Sequence, residues 1–199
     1  MSNKVFVPYD TIRDDAIRLA QRIHHDGFEP DVIYVSLRGG AYMGNVISEY
    51  FKVVRRNTRP VFYAAVVARS YTDINTQDRV SVDGWTYSPE YLRSGDKVLL
   101  VDDIFDTGRT VNHLVNVIME HGIPRRDIRV AVHDYKIRHY VDHSQPILPD
   151  YYCNKQEIAR AEHDTWLHYL SHELVGLSRD EVQAQYPDED VQQILSNIL

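Results

Sequence analysis

One stretch of the chain constrains its fold more than any other, because an uninterrupted apolar run ends in a pair of carboxylates. The run Val98–Val101 has no polar alternation, which is typical of a central parallel strand covered on both faces. Asp102 and Asp103 follow at once, and a turn with one glycine then leads into apolar residues at helical spacing. The order of strand, acidic pair, turn and helix predicts an open α/β sheet with a ligand site beyond the carboxyl end of this strand.

The same stretch carries groups that suit a sugar phosphate. The carboxylates of Asp102 and Asp103 can accept hydrogen bonds from vicinal hydroxyls, such as those of a ribose. Residues 106–110, with the sequence Asp-Thr-Gly-Arg-Thr, bring backbone N–H groups, two hydroxyls and a helix N-terminus, which together favour a phosphate. The alternative is an acidic loop in which Asp106 or Thr107 only caps the helix. The stretch is not a nucleotide P-loop, because no lysine follows a second glycine.

A second segment repeats the order of strand, glycine turn and helix. The apolar residues of 31–36 predict a core strand, and the turn Leu37–Gly40 leads into a further helical pattern. Tandem glycines let the backbone approach a ligand closely, and Arg38 supplies positive charge. A tight turn without a ligand is the alternative. With the first motif, this segment predicts two anion-accepting loops at one pocket.

The rest of the chain shows weaker patterns. Apolar spacing predicts an amphipathic helix over residues 8–28 and strands at 60–68, 127–133 and 149–153. The polar run 69–79 has no clear period and predicts a long loop, followed by a hairpin arm at 80–87. Residues 154–163 are polar and compatible with a helix. Ser178 and Glu181 form the pattern of a capping box before one or two short C-terminal helices.

Composition limits the class of protein and its partners. The 199 residues indicate one domain, and the net charge of -7 argues against nucleic acid as the main partner. Cys153 is the single cysteine, so the sequence offers neither a disulfide framework nor a cysteine-based metal site. A reducing compartment is expected. Neither a long apolar run nor a signal peptide is evident, and we therefore expect a cytoplasmic protein with no membrane partner.

The stretch from Lys97 to Val111 resembles the phosphoribosyl diphosphate (PRPP) motif of the type I phosphoribosyltransferases. A weaker resemblance to the purine branch of that family extends over most of the chain. It implies the type I phosphoribosyltransferase fold, with a central, mainly parallel sheet flanked by helices and a small hood formed largely by C-terminal residues. Residues 1–145 would form the core, and residues 146–199 the hood, the base-binding segment and the C-terminal helices, within a single structural unit.

The resemblance also implies which residues bind PRPP. They are Asp102, Asp103, Asp106, Thr107, Gly108, Arg109, Thr110, Arg38, Gly39, and Ser70 and Tyr71 in a mobile loop that closes over the diphosphate. The peptide bond between Leu37 and Arg38 would be cis. The cofactor would be Mg²⁺, with Asp103 among its ligands. Asp106 would be the catalytic residue and accept a proton from the purine ring.

Two further segments are implied to bind the base. Lys136 follows a strand and would donate to the exocyclic oxygen of a 6-oxopurine; a surface lysine is the alternative. The sequence Asp-Thr-Trp-Leu at 164–167 resembles the base-binding segment of the xanthine–guanine branch. There Trp166 would stack on the base and the Leu167 backbone would read its edge, unless Trp166 is a core residue. Leu170 and Ser171 replace the Pro-Trp of that branch, so the preferred base stays open.

The resemblance thus implies a purine phosphoribosyltransferase of purine salvage. The enzyme would transfer the 5-phosphoribosyl group of PRPP to hypoxanthine, guanine or xanthine and release diphosphate. Members of the family are commonly dimers or tetramers, so a homodimer or homotetramer is expected. The negative net charge argues against DNA as a partner. One alternative is a regulatory protein that binds PRPP without catalysis. Another is a phosphoribosyltransferase for a different base, such as a pyrimidine or orotate.

Overall fold

A computed structural model describes residues 4–55, 59–73, 76–141 and 145–199, without the side chains of 69–73 and 76–79. The elements are β1 (Lys4–Val7), α1 (Tyr9–His25), β2 (Val32–Leu37), α2 (Gly40–Val54), β3 (Phe62–Asp73), β4 (Thr76–Trp85), β5 (Val98–Phe105), α3 (Arg109–Glu120), β6 (Ile128–Arg138), β7 (Tyr151–Ile158), β8 (Trp166–Tyr169), α4 (Arg179–Gln185) and α5 (Glu189–Ile198). They form two compact units, one of Asp10–Asp164 and one of Met1–Tyr9 with Thr165–Leu199. The predicted division after residue 145 stays a prediction.

The larger unit is built on a six-stranded sheet in the order β4-β3-β2-β5-β6-β7. Strands β3, β2, β5, β6 and β7 are parallel to one another, and only β4 pairs antiparallel, with β3. The apolar run Val98–Val101 is fully buried at the start of β5, which confirms the predicted central strand. Because β2, β5 and β6 are parallel, the turns that follow them meet at one edge of the sheet.

Helices cover the sheet through apolar faces that the sequence predicts. Helix α1 buries residues at helical spacing, namely Ile12, Ala16, Leu19, Ala20 and Ile23. Helix α3 does the same with Val111, Leu114, Val115 and Ile118, which pack in one apolar cluster with residues of β2, β5 and β6. The predicted α/β architecture with a mainly parallel sheet is confirmed.

The predictions for two polar segments were wrong. Most of the expected loop 69–79 belongs to a long antiparallel hairpin, in which Ser70 pairs with Val80 and Tyr71 with Arg79. Residues 151–158 form the edge strand β7, so the helix with which residues 154–163 are compatible does not form over 154–158. In both places backbone pairing with a neighbouring strand overrides the local sequence preference, which a single segment cannot reveal.

The smaller unit joins both ends of the chain. Strands β1 and β8 pair in parallel, and Lys4 forms an ion pair with Glu181 at 2.9 Å. Ser178 caps α4 through the predicted capping box. Leu177, Val182 and Leu195 form a small apolar core.

In the described part of the chain, no helix has both the length and the apolar character needed to cross a membrane.

Candidate active site

The acidic pair at the end of β5 lies against the second glycine turn. The Asp102 carboxylate accepts the Asp103 N–H at 3.0 Å, and the Asp103 carboxylate accepts the Ile104 N–H at 2.9 Å. The Asp103 side chain lies so close to Gly39 that a Cβ atom built there would be 2.2 Å from the Asp103 carboxyl carbon. The structure therefore brings the two predicted anion-accepting turns together.

Asp102 is a buried carboxyl group at this junction. Burial and the neighbouring Asp103 carboxylate raise the pKa of Asp102 well above its usual range, although hydrogen bonds from Asp103 and Ser36 oppose the shift. Two adjacent carboxyl groups repel each other when both are ionised. A ligand whose hydroxyl groups donate hydrogen bonds to these carboxyl groups, or a cation bound beside them, would relieve this repulsion.

The turn Leu37–Gly40 packs directly on β5. The peptide bond between Leu37 and Arg38 is cis, as the resemblance implies, and the Arg38 side chain is exposed. A Cβ atom at Gly40 would lie 2.4 Å from the backbone oxygen of Val101, so this approach of the two backbones requires glycine. Helix α2 begins at Gly40, immediately after Arg38 and Gly39.

A cavity of about 280 Å³ opens beside the acidic pair, at the N-terminus of α3. Its lining includes Asp102, Asp103, Asp106, Thr107, Gly108 and Thr110. Gly108 has a φ of 74°, and the Phe105 ring packs where a side chain at residue 108 would begin. The cavity thus combines carboxylates with hydroxyls and the positive end of a helix dipole, and Arg109 is the first residue of that helix. This set of groups can hold a sugar and a phosphate side by side.

A smaller cavity of about 90 Å³ shares Asp106 and Thr107 with the first one, and its lining includes Lys136 and Arg138 at the end of β6. The Lys136 side chain is 4% exposed, and its Nζ donates to Asp164 Oδ1 at 2.8 Å. Lys136 is therefore a buried, ion-paired lysine, which excludes the surface alternative.

Asp106 is in contact with a cation that the sequence analysis missed. Its carboxylate forms an ion pair with Arg138, whose guanidinium also donates to Asp164 and, at 3.5 Å, to the backbone oxygen of Asp106. Tyr140 adds a hydrogen bond of 2.8 Å to Asp164. Arg138 could have been found from the two-residue period of the strand, because it follows Lys136 by two positions on β6. Tyr140 lies beyond the end of β6, and no local pattern of the sequence marks it.

Asp164 stands at the centre of these contacts. Burial by itself raises the pKa of its carboxyl group, but hydrogen bonds from Arg138, Lys136 and Tyr140 outweigh burial and hold the pKa well below its usual range. Asp164 is thus a carboxylate with three donors around it. The sequence signal for it was its place in the Asp-Thr-Trp-Leu segment, where no role was assigned to it.

The remaining predicted residues belong to other strands. Trp166 and Leu167 belong to β8 of the smaller unit; the Trp166 residue is 57% exposed and is not part of a core. The backbone of Ser70 and Tyr71 lies in β3, and their side chains are outside the described residues.

The described residues contain no cluster of three or more acidic, histidine or cysteine ligands for a metal. The oxygens of Asp102 and Asp103 nevertheless suit Mg²⁺, which is held by one or two carboxylates together with substrate phosphates.

Several known proteins are similar to this chain. Hypoxanthine-guanine phosphoribosyltransferase from Canis lupus familiaris is 32% identical over 124 residues, which cover 60% of this chain and 56% of that protein. The enzyme of the same name from Sus scrofa is 31% identical over the same coverage. The chain thus matches less than two thirds of the length of these curated relatives.

Solved structures share the fold. A purine phosphoribosyltransferase from Pyrococcus horikoshii superposes with a TM-score of 0.66 at 18% identity, covering 88% of this chain and 98% of that chain. A hypothetical protein from Neisseria gonorrhoeae with bound ppGpp superposes with a TM-score of 0.65 at 18% identity, covering 100% of this chain and 98% of that chain. At this level of identity the likeness concerns the fold alone.

The protein-family model described as the phosphoribosyl transferase domain matches residues 8–158 of this chain. This range contains both glycine turns, the acidic pair, Asp106 and Lys136. The chain belongs to the phosphoribosyl transferase domain family.

Proposed function

We propose that the protein is a purine phosphoribosyltransferase of purine salvage. It transfers the 5-phosphoribosyl group of PRPP to a ring nitrogen of a 6-oxopurine and forms a nucleoside monophosphate and diphosphate. The observation that carries this proposal is the junction of two cavities at Asp106. One cavity has the groups for a ribose phosphate, and the other contains the buried cation Lys136.

PRPP is proposed to bind along the first cavity and the two glycine turns. Asp102 and Asp103 accept hydrogen bonds from the ribose hydroxyls, and a hydrogen bond to an ionised acceptor is worth about 1.5–3 kcal/mol. The 5-phosphate binds to the turn before α3 and to the first residues of that helix, namely Thr107, Gly108, Arg109 and Thr110. Arg38 and Gly39 bind the diphosphate group. Ser70 and Tyr71, which lie in the hairpin strand β3, are proposed to close over it and exclude water, which would otherwise hydrolyse the activated sugar.

The family cofactor Mg²⁺ fits the carboxylate pair. Asp103, with Asp102 beside it, would hold the ion together with oxygens of PRPP. When bound, it neutralises charge on the diphosphate leaving group.

Asp106 is proposed to accept the proton that the purine loses as the bond to the sugar forms. Asp106 lines both cavities, and this supports its role as a proton acceptor between sugar and base. Lys136 is proposed to donate to the exocyclic oxygen of the base. A buried cation prefers an oxygen acceptor over a second donor, which favours oxopurines over adenine. Trp166 and the Leu167 backbone remain the predicted contacts to the face and edge of the base.

The test is an assay with PRPP, Mg²⁺ and, separately, hypoxanthine, guanine, xanthine, adenine, uracil and orotate. Turnover with at least one oxopurine, and little with adenine, is the expected result. Turnover with uracil or orotate alone would assign the protein to another base. Binding of PRPP by calorimetry without turnover of any base would favour the regulatory alternative. We also propose a homodimer or homotetramer, because members of the family commonly form them. Sedimentation of the purified chain would measure this oligomeric state.

A further inference from the structure

We propose that Asp164 is a positioning residue that couples recognition of the base to proton acceptance, because it holds Lys136 and Arg138 with one carboxylate. This inference rests on the proposed function of the site. Lys136 is the proposed contact to the base oxygen, and Arg138 is the partner of the proposed proton acceptor Asp106. Asp164 touches neither the sugar nor the base in this proposal and acts through its two partners.

The contacts form a row of alternating charges. Asp164 Oδ1 accepts a hydrogen bond from Lys136 at 2.8 Å, and Asp164 Oδ2 accepts one from Arg138. The Arg138 guanidinium also forms an ion pair with the Asp106 carboxylate. The partners are distant in sequence: 28 residues separate Lys136 from Asp164. Their meeting is therefore a property of the folded chain and not of a local turn.

These contacts are largely shielded from solvent. The side chains of Lys136, Arg138 and Asp164 are 4%, 13% and 17% exposed. Ion pairs this far from solvent are little screened by salt, and removing one partner leaves a buried charge without compensation. Lys136 and Arg138 are two residues apart on β6 and therefore project on the same side, so without Asp164 their like charges would repel each other.

Contacts that hold Lys136 and the Asp106 carboxylate in place before the base arrives are expected to favour the chemical step as well as binding. Lysine and arginine side chains lose much rotamer freedom when they bind a ligand, and a partner already in place removes that cost before the ligand arrives. Asp164 is thus expected to set the direction of the Lys136 ammonium and, through Arg138, the orientation of the Asp106 carboxylate. Loss of Asp164 should affect both the base and the chemical step while PRPP binding is spared.

The test compares Asp164→Asn with Glu162→Gln, a matched control that removes one charge from an exposed ion pair with Arg160 in the same segment. For D164N we expect KM for the base to rise and kcat to fall, each by about tenfold or more, because charged hydrogen bonds are lost on both sides. KM for PRPP should change by less than about twofold, and the control should match the wild type. A merely structural role would lower thermal stability without this difference between a raised KM for the base and an unchanged KM for PRPP.

Two further variants sharpen the test. Asp164→Glu keeps the charge and moves the carboxylate by one methylene, so its losses should lie between those of wild type and D164N; it also replaces D164N if that variant does not fold. Combining D164N with Lys136→Gln should raise KM for the base no further than Lys136→Gln alone, because Asp164 acts on the base through Lys136. Additive effects of the two changes on KM would overturn the proposal.

A crystal structure of D164N, or of D164E if D164N does not fold, would test the role of Asp164 independently of turnover. We expect the Arg138 guanidinium to leave Asp106 or to change its contact with it. An active wild type whose D164N variant keeps the kcat and base KM of the wild type would overturn the inference and leave the proposed function intact. Absence of turnover by the wild type with every base would instead reject the proposed function. An unchanged contact between Arg138 and Asp106 in the variant structure would then reject the inference as well.

Discussion

Asp106 is the residue on which the proposed chemistry depends, and its main neighbour is a cation. The Arg138 guanidinium forms an ion pair with the Asp106 carboxylate, and a carboxylate in this place is the group that would accept the proton. The side chain of Asp106 is 42% exposed, so it remains accessible from the cavity while Arg138 holds it. A carboxylate held in this way can act on the base without being rearranged first.

Replacing Asp106 by asparagine should separate chemistry from binding. Asparagine keeps the shape of the side chain but cannot accept the proton, so kcat should fall by about 10²–10⁴-fold. The dissociation constant of PRPP, measured by calorimetry, should change little. Equal losses in kcat and in PRPP affinity would show that Asp106 acts in binding instead.

Trp166 offers a second test at a single position. Because the residue is 57% exposed, Trp166→Ala should leave the melting temperature near that of the wild type. Loss of base stacking, worth about 1–3 kcal/mol, should raise KM for the base by roughly tenfold and spare KM for PRPP. Tyr91→Ala is the control, since Tyr91 is similarly exposed at 60% and has no proposed role. Unfolding of the Trp166→Ala variant would reveal a structural role.

Among the elements, α3 connects the phosphate turn to the segment that precedes β7. The buried side chain of Asn112 donates to the backbone oxygens of Gly108 and Ile147, at 2.9 and 2.8 Å, and accepts the Ile147 N–H at 2.9 Å. One side chain in the first turns of α3 therefore fixes the backbone at residue 147 relative to the turn at residue 108.

Asn112→Ala should destabilise this connection. The backbone groups of Ile147 would lose partners inside the protein, which costs about 1–3 kcal/mol in the free energy of unfolding measured with urea. PRPP affinity should also fall, because the Gly108 turn loses a support. Asn45→Ala, at an exposed position in α2, is the matched control and should change neither quantity. A stability equal to that of the wild type would mean that water replaces the lost hydrogen bonds.

Two of the strands show where a sequence pattern is sufficient and where it is not. The apolar run of β5 is buried on both faces, and such a run predicts a central strand from composition alone. Strand β7 has exposed polar residues in its middle and is held by pairing with β6 on one side. Its second half is a strand because of that neighbour, and for this reason the sequence of residues 154–163 by itself is also compatible with a helix.

For the whole molecule, the depressed pKa of Asp164 links stability to pH. A carboxyl group whose pKa is lower in the folded state than in the unfolded chain stabilises the fold above the unfolded pKa, which is about 3.9 for aspartate. The contribution disappears as the pH falls through the folded value. The free energy of unfolding of the wild type should therefore exceed that of D164N at neutral pH, and the difference should shrink below about pH 4.

Urea denaturation at a series of pH values would measure this difference. The Glu162→Gln control should follow the wild type over the whole range, because its ion pair is exposed. A difference between wild type and D164N that stays constant down to pH 2.5 would show that the Asp164 charge contributes nothing to stability.

The sequence by itself determined the local features of this protein. The buried strand β5, the acidic pair, the glycine turns, the helices after them and the capping box each depend on residues close together in the chain, where sterics and hydrogen bonding act over a few positions. Only the tertiary structure decided which charges meet. Asp164 reaches Lys136 and Arg138 because β6 and β7 pair in parallel, a register that no local period encodes. The sequence therefore identified the groups for a sugar phosphate, and the folded chain identified the carboxylate that holds the cations beside them.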